Sequence, residues 1–189
     1  MRYVVGCLAA FVLGGCALDP FVTIGGETYT SYAGNWLIEN NIDPITGIAV
    51  PSARVYTIRS SSASLEYFAK PASMQLTCSD KDPVVKFSYD FKVGSSPNSI
   101  FGYRFDERPG HDNVNVRFLH NARAIVIEDR ASVVQFIRSM EGTKRLVVRS
   151  RSFNAGRSVT EFYVDGSELA IKAAFASCPL EPKGPRSTS

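Results

Sequence analysis

A chain of 189 residues has room for one ordinary domain of roughly 140–150 residues once a leader and short tails are set aside, and none for a second core. With 44% hydrophobic and 21% charged residues, it is neither a disordered chain nor a multi-span membrane protein. Its formal net charge of +3, lower by one when Arg2 leaves with the leader, is too balanced to point to nucleic acid.

Met1-Arg2-Tyr3 supplies one positive charge, and Val4 to Leu13 is an almost unbroken apolar run. That run is long enough for the core of a signal peptide and too short to span a bilayer. It closes on Leu13-Gly14-Gly15-Cys16, which resembles the bacterial lipobox: an aliphatic residue, two small ones that admit the peptidase, and the cysteine whose thiol receives diacylglycerol. Residues 1–15 therefore read as a signal peptide and Cys16 as the lipid-anchored first residue, with ordinary secretion and an unmodified Cys16 as the alternative. Cys7 also follows a glycine, but only six residues precede it, too few for an apolar core. Ala17 rather than Asp after the modified cysteine favours the outer membrane. The expected location is the cell envelope, lipid-anchored.

Residues 16–32 are rich in Gly, Thr and Ser and read as a lipidated tether of up to ~50 Å when extended. A β-rich domain is expected over residues 33–178, opening near Trp36. Asn40-Asn41-Ile42-Asp43-Pro44-Ile45-Thr46-Gly47 carries the Asp-Pro and Gly signals of a turn or exposed loop. Strand-like runs follow at Arg54–Arg59, Leu65–Ala69, Met74–Cys78, Ile100–Phe105, Val114–Leu119, Ala124–Ile127, Leu146–Arg149 and Val159–Val164, many bounded by Gly, Pro, Asn, Asp or Ser. The clearest strand is Val85-Lys86-Phe87-Ser88-Tyr89-Asp90-Phe91, whose unbroken alternation buries one face and wets the other. Two segments have a helical period instead. Ala131–Met140 spaces Val133, Phe136, Ile137 and Met140 along one stripe, and Ser167 is placed to cap a run whose Ile171, Ala174, Phe175 and Cys178 share another. This cadence predicts a mainly β fold, an antiparallel β-sandwich or barrel with two short packed helices. Residues 179–189 hold three prolines and read as a disordered tail.

Once Cys7 leaves with the leader and Cys16 takes lipid, Cys78 and Cys178 remain in an oxidising compartment, where a disulfide is expected, two buried free thiols being the alternative. Arg104-Phe105-Asp106-Glu107-Arg108 is the densest charged stretch beside a strand. Arg104 and Asp106, at i and i+2, would project from one face, where a guanidinium beside a carboxylate recognises a peptide or sugar group or forms a structural ion pair. Arg145, Arg149 and Arg151 share one face of their strand and form either an anion-binding patch or an ordinary solvated face. Support for catalysis is thin. His111 and His120 have no partner at metal-ligand spacing, so no metal or cofactor is expected. There is no Gly-x-Ser-x-Gly elbow and no phosphate-cradling glycine loop.

Trp36 with Asp43-Pro44, Met74-Gln75-Leu76-Thr77-Cys78, Tyr103-Arg104-Phe105-Asp106, Leu146-Val147-Val148-Arg149, Val159-Thr160-Glu161-Phe162-Tyr163-Val164-Asp165-Gly166 and Ala176-Ser177-Cys178 form a series. It is similar, in the same order over about 140 residues, to the periplasmic accessory domain of type VI secretion systems, the VasI-type family. Where that pattern has a tryptophan-containing segment, this chain has Val116-Arg117-Phe118-Leu119. The layout from Trp to Cys also resembles that of invasion-associated envelope proteins. The resemblance implies a disulfide-closed β-rich domain used as an envelope accessory or adaptor, with Cys78 and Cys178 as the bridge, Arg104 and Asp106 as a shared charged pair, and no catalytic residue. The expected function is that of a non-enzymatic binding module with an envelope-protein partner. The alternative is a peptidoglycan- or glycan-binding module or cell-wall hydrolase using Asp106, Glu107 and neighbouring arginines.

Overall fold

A computed structural model describes residues 28–43, 45–57, 60–62, 71–94, 98–153 and 155–180. The leader, Cys16, the tether as far as residue 27, the strand expected at Leu65–Ala69 and the tail from residue 181 lie outside the described residues. In chain order the strands are β1 (Thr28–Ala33), β2 (Trp36–Ile42), β3 (Ala49–Thr57), β4 (Ser60–Ser62), β5 (Ala72–Ser79), β6 (Asp82–Tyr89), β7 (Ser99–Phe105), β8 (Arg117–Leu119) and β9 (Ala124–Ile127). Helix α1 (Arg130–Met140), strands β10 (Arg145–Ser152) and β11 (Gly156–Tyr163), and helix α2 (Ser167–Ala174) complete the domain. The strands form an antiparallel seven-stranded sheet in the order β1-β2-β3-β5-β6-β9-β8 and a four-stranded sheet in the order β4-β11-β10-β7. Neither closes on itself, so the fold is a sandwich and not a barrel.

Period-2 alternation decides which side chains meet between the layers. Met74, Leu76, Val85, Phe87, Ile125 and Ile127 of the large sheet are buried against Phe101, Phe105, Leu146, Val148 and Phe162 of the small one. Phe87 is the hub, its ring centroid 5.4 Å from Phe101, 6.0 Å from Phe162 and 6.0 Å from Phe136. Phe136 comes from α1, whose buried stripe is Val133, Phe136, Ile137 and Met140 as its period predicts. Asp129 caps this helix by accepting from the Ser132 backbone N–H at 2.9 Å. Trp36 is fully buried and donates from Nε1 to the Val164 carbonyl at 3.2 Å, tying β2 to the end of β11.

Several boundaries differ from the sequence reading. The tether does not extend to residue 32, because residues 28–33 are strand β1, paired along its whole length with β2. Asn40, Asn41 and Ile42 are not loop: they continue β2, Asn40 and Asn41 with β1 on one side and β3 on the other and Ile42 with β3, and the described turn residues are Asp43 and 45–48. Ladders on both flanks satisfy the backbone groups that Asn-Asn would otherwise use to turn. Ser167 is not the cap of α2. That place belongs to Gly166 at φ +83°, where a Cβ would lie 2.2 Å from the Ala33 carbonyl oxygen. Only glycine lets the β1–β2 turn sit against the start of this helix. Cys178 lies beyond the helix, which ends at Ala174, and the tail starts later than residue 179: Arg130 Nη2 donates to the Pro179 carbonyl at 2.6 Å, and Leu180 packs on the core. The Cys78–Cys178 disulfide is present with a Cα–Cα distance of 5.9 Å, joining β5 to the segment after α2.

Candidate functional site

The inner face of the four-stranded sheet is apolar, and its outer face is cationic. Along β10 the inward residues are Leu146, Val148 and Ser150, which leaves Arg145, Val147, Arg149 and Arg151 outside. The antiparallel register sets Arg104 of β7 and Glu161 of β11 beside Val147, Gly102 and Val159 beside Arg149, and Ile100 and Arg157 beside Arg151. Five arginines from three strands therefore share one surface, as alternation requires for every residue in phase with them.

A loop after β7 folds back over this surface. Asp106 turns the chain at φ +44°, and the Tyr103 and His111 backbones exchange hydrogen bonds of 2.9 and 2.8 Å, covering the edge of β7. The His111 ring stacks on Tyr103 at 4.7 Å. Burial pushes the Tyr103 hydroxyl up to about 12, against a smaller opposing effect of its hydrogen bond with Ser139. The loop passes directly above Gly102, where a Cβ would come within 2.8 Å of the His111 carbonyl oxygen and 2.9 Å of Asp112 Oδ1. This close approach delivers Asp112 to the arginines. Its Oδ2 lies 2.8 Å from Arg149 Nη2 and 3.1 Å from Arg151 Nη2. The Arg149 hydrogen bond is the main reason its carboxyl is held below the ordinary value, with smaller help from the Asn113 N–H and the two positive charges and some opposition from burial.

The expected pair of Arg104 and Asp106 does not form. The positive φ of Asp106 rotates its side chain off the β7 face, and both carboxylate oxygens accept from backbone instead, the closest being Oδ1 from the Arg145 N–H at 2.8 Å. Asp106 is thus a clamp between the end of β7 and the start of β10. Arg108 also leaves the surface. Its guanidinium donates to the carbonyls of Ser139 at 2.9 Å and Glu141 at 3.2 Å, satisfying groups that the end of α1 leaves open. Glu107 stays exposed at 3.5 Å from Arg145, which also faces Glu161 at 3.6 Å. Arg145, Arg149 and Arg151 do share a face, and each has a carboxylate.

Two arginines of the face have none: no carboxylate among the described residues is in ion-pair range of Arg104 or Arg157. They flank a groove of about 370 Å³ whose lining includes Gly102, Val147, Arg149 and Val159. Unpaired guanidiniums beside an apolar strip with polar walls suit a planar carboxylate carried on a small hydrophobic body. A larger depression lies on the outer side of α1, but its Asp129 is engaged in capping and its Arg130 in holding Asp82 and Pro179. Among the described residues no group of three or more His, Cys, Asp or Glu gathers as metal ligands, and no helix is long and apolar enough to cross a membrane.

Sequence reading missed Asp112, Arg157 and Gly102. The glycine was a usable signal, since an isolated Gly inside a strand marks a close backbone approach. Arg157 shares the phase of Val159 and Glu161 and becomes visible once the strand is known to begin at Gly156. Asp112 carried no local signal.

No family model matches the chain, and no curated protein matches it. Among solved structures, it is similar to the invasion associated protein b from Bartonella henselae at 15% identity, with a TM-score of 0.47. The similarity covers 78% of this chain and 96% of that one.

Proposed function

We propose that this chain is a membrane-anchored envelope lipoprotein that acts as a non-enzymatic binding and accessory module, using the outer face of its small sheet to hold a carboxylate-bearing surface of another envelope protein. The observation that carries the reading is the groove between Arg104 and Arg157. Arg104 and Arg157, without carboxylate partners among the described residues, both line it together with Val147 and Val159, while Asp112, which also lines it, is engaged by Arg149 and Arg151. Guanidiniums left unpaired on a face where three others are matched retain their capacity for bidentate contact. The anchor reading of Cys16 supports a membrane location, and the Cys78–Cys178 bridge supports an oxidising compartment.

The test is chemical crosslinking in intact membranes with the parent chain and with an Arg104→Glu, Arg157→Glu double variant. A partner captured by the parent and lost by the variant, with capture weakening as salt is raised, is the expected result. Equal capture by both refutes the role of the groove. Release of fragments from purified peptidoglycan by the parent chain refutes the non-enzymatic reading in favour of a cell-wall hydrolase, and cosedimentation with peptidoglycan without release moves the ligand from protein to wall.

A further inference from the structure

The turn between β2 and β3 has the backbone N–H groups of Asp43 and residues 45–48 tied internally and its apolar side chains facing out. Asp43 Oδ1 accepts from the backbone N–H groups of Ile45 at 2.9 Å and Thr46 at 2.7 Å, and from the Thr46 hydroxyl at 3.1 Å. The Thr46 N–H contributes most to holding this carboxyl below its ordinary range. The Asp43 N–H donates to the Ile48 carbonyl at 2.9 Å, and the Gly47 N–H to the Asp43 carbonyl at 2.9 Å. Ile45 is nonetheless 91% exposed, Ile48 64% and Val50 36%. Ile45 and Ile48 on the turn and Val50 at the start of β3 expose large aliphatic side chains, which is costly in water. They are well suited to a lipid interface, where unsatisfied backbone groups would be the obstacle.

The position of this turn identifies its occupant. Thr28 pairs with Asn41 and Ile42 with Ala49, so Thr28, the first described residue, lies one pairing step from the turn. Cys16 precedes Thr28 by twelve positions, at most ~40 Å of fully extended chain. A lipid on Cys16 is therefore joined to the domain from this end of the sandwich, and not from the end where Asn35 meets Asp165. The neighbouring β5–β6 turn carries Asp80, Lys81 and Asp82, with Asp82 held by Arg130 at 3.3 Å. That mixed rim has no bias for anionic headgroups and fits a zwitterionic surface.

We propose that the Asp43–Ile48 turn, with Val50 beside it, is a membrane-contact tip: Ile45, Ile48 and Val50 enter the headgroup region of the zwitterionic phospholipid bilayer to which the chain is tethered, and so orient the domain. The inference rests on the anchor reading of Cys16. Trp36 is the chain's single tryptophan and is fully buried, which makes tryptophan emission a clean probe. The full chain purified from membranes is checked for lipid on Cys16 by intact mass and reconstituted in phosphatidylcholine vesicles with and without brominated acyl chains. Ile45→Trp, with Ile48→Trp as a second variant, is expected to add blue-shifted emission that brominated lipid quenches. Tyr163→Trp, exposed at the opposite end, is expected to stay unquenched. Water-like, unquenched emission from both turn variants on lipidated chain overturns the proposal, as does a blue shift that bromine leaves intact, because a second copy of the chain then covers the tip. A chain that lacks lipid defeats the anchor reading separately; the same variants added to vesicles then decide the tip by the same quenching.

Discussion

Gly102→Ala tests whether the Asp106–Asn113 loop is held on the arginine face by close backbone approach. The added Cβ would stand 2.8 Å from the His111 carbonyl oxygen and 2.9 Å from Asp112 Oδ1, whereas ordinary contact begins near ~3.5 Å. The loop must therefore retreat by about 0.7 Å, and the retreat stretches the Tyr103–His111 backbone pair and the Asp112 contacts to Arg149 and Arg151 together. Overpacking of this kind costs about 1–3 kcal/mol, and the restriction of the unfolded chain returns about 0.4–1 kcal/mol. A net loss of about 1–2 kcal/mol lowers Tm by about 3–8 °C in a domain of this size. Gly110→Ala is the matched control in the same loop: its Cβ would meet the Tyr103 carbonyl oxygen at 3.5 Å and Arg104 Cβ at 3.7 Å, ordinary contacts, so Tm should hold or rise slightly. Scanning calorimetry at fixed protein concentration compares the two, and amide exchange at Tyr103 and His111 locates the damage. If Gly102→Ala melts with the parent, or Gly110→Ala falls by the same amount, the loop is not clamped as described.

The Cys78–Cys178 bridge spans a sequence separation of 100, so replacing both cysteines by serine should remove about 4–5 kcal/mol on the loop-entropy account. An unchanged denaturant midpoint would show that other contacts already confine that loop in the unfolded chain. Asp112 supplies a pH test: its folded pKa is depressed, chiefly by the Arg149 hydrogen bond. Its stabilising contribution is therefore fully present above the unfolded value near ~3.9 and is lost as pH falls through the lower folded value. Carboxyl carbon NMR should place the Asp112 midpoint below that of an ordinary aspartate, and Arg149→Gln should raise it. An ordinary midpoint in the parent chain would mean that the pair is open in solution.

Local pattern carried much of the fold. Alternation in Val85–Phe91 and the stripe of Val133, Phe136, Ile137 and Met140 are properties of each element's own geometry; the helix stands where its stripe puts it, and the strand is there but begins at Asp82 and ends at Tyr89. Alternation also placed Arg145, Arg149 and Arg151 on one face before any partner strand was known. The same rule failed at Asp106, because a side chain follows the strand's alternation only while its backbone stays extended, and a positive φ ended that there. It missed β1 and β2 as well. Their Thr, Tyr, Ser and Asn residues give little periodicity, and they are strands because β2 is paired with β1 on one side and β3 on the other.

By itself the sequence determined a bridged, mainly β domain, with two helices where the apolar period changes, and an arginine-rich strand face. Each is set by neighbours a few positions apart, or, for the bridge, by which two of the four cysteines the reading of the leader leaves to pair. Tertiary structure alone decided which charges are spent and which are left over. Asp112 reaches Arg149 and Arg151 only because the chain doubles back over Gly102, and Arg104 and Arg157 become the flanks of one groove only through the β7–β10–β11 register. Those meetings depend on pairing between strands far apart in the chain, which no local periodicity encodes.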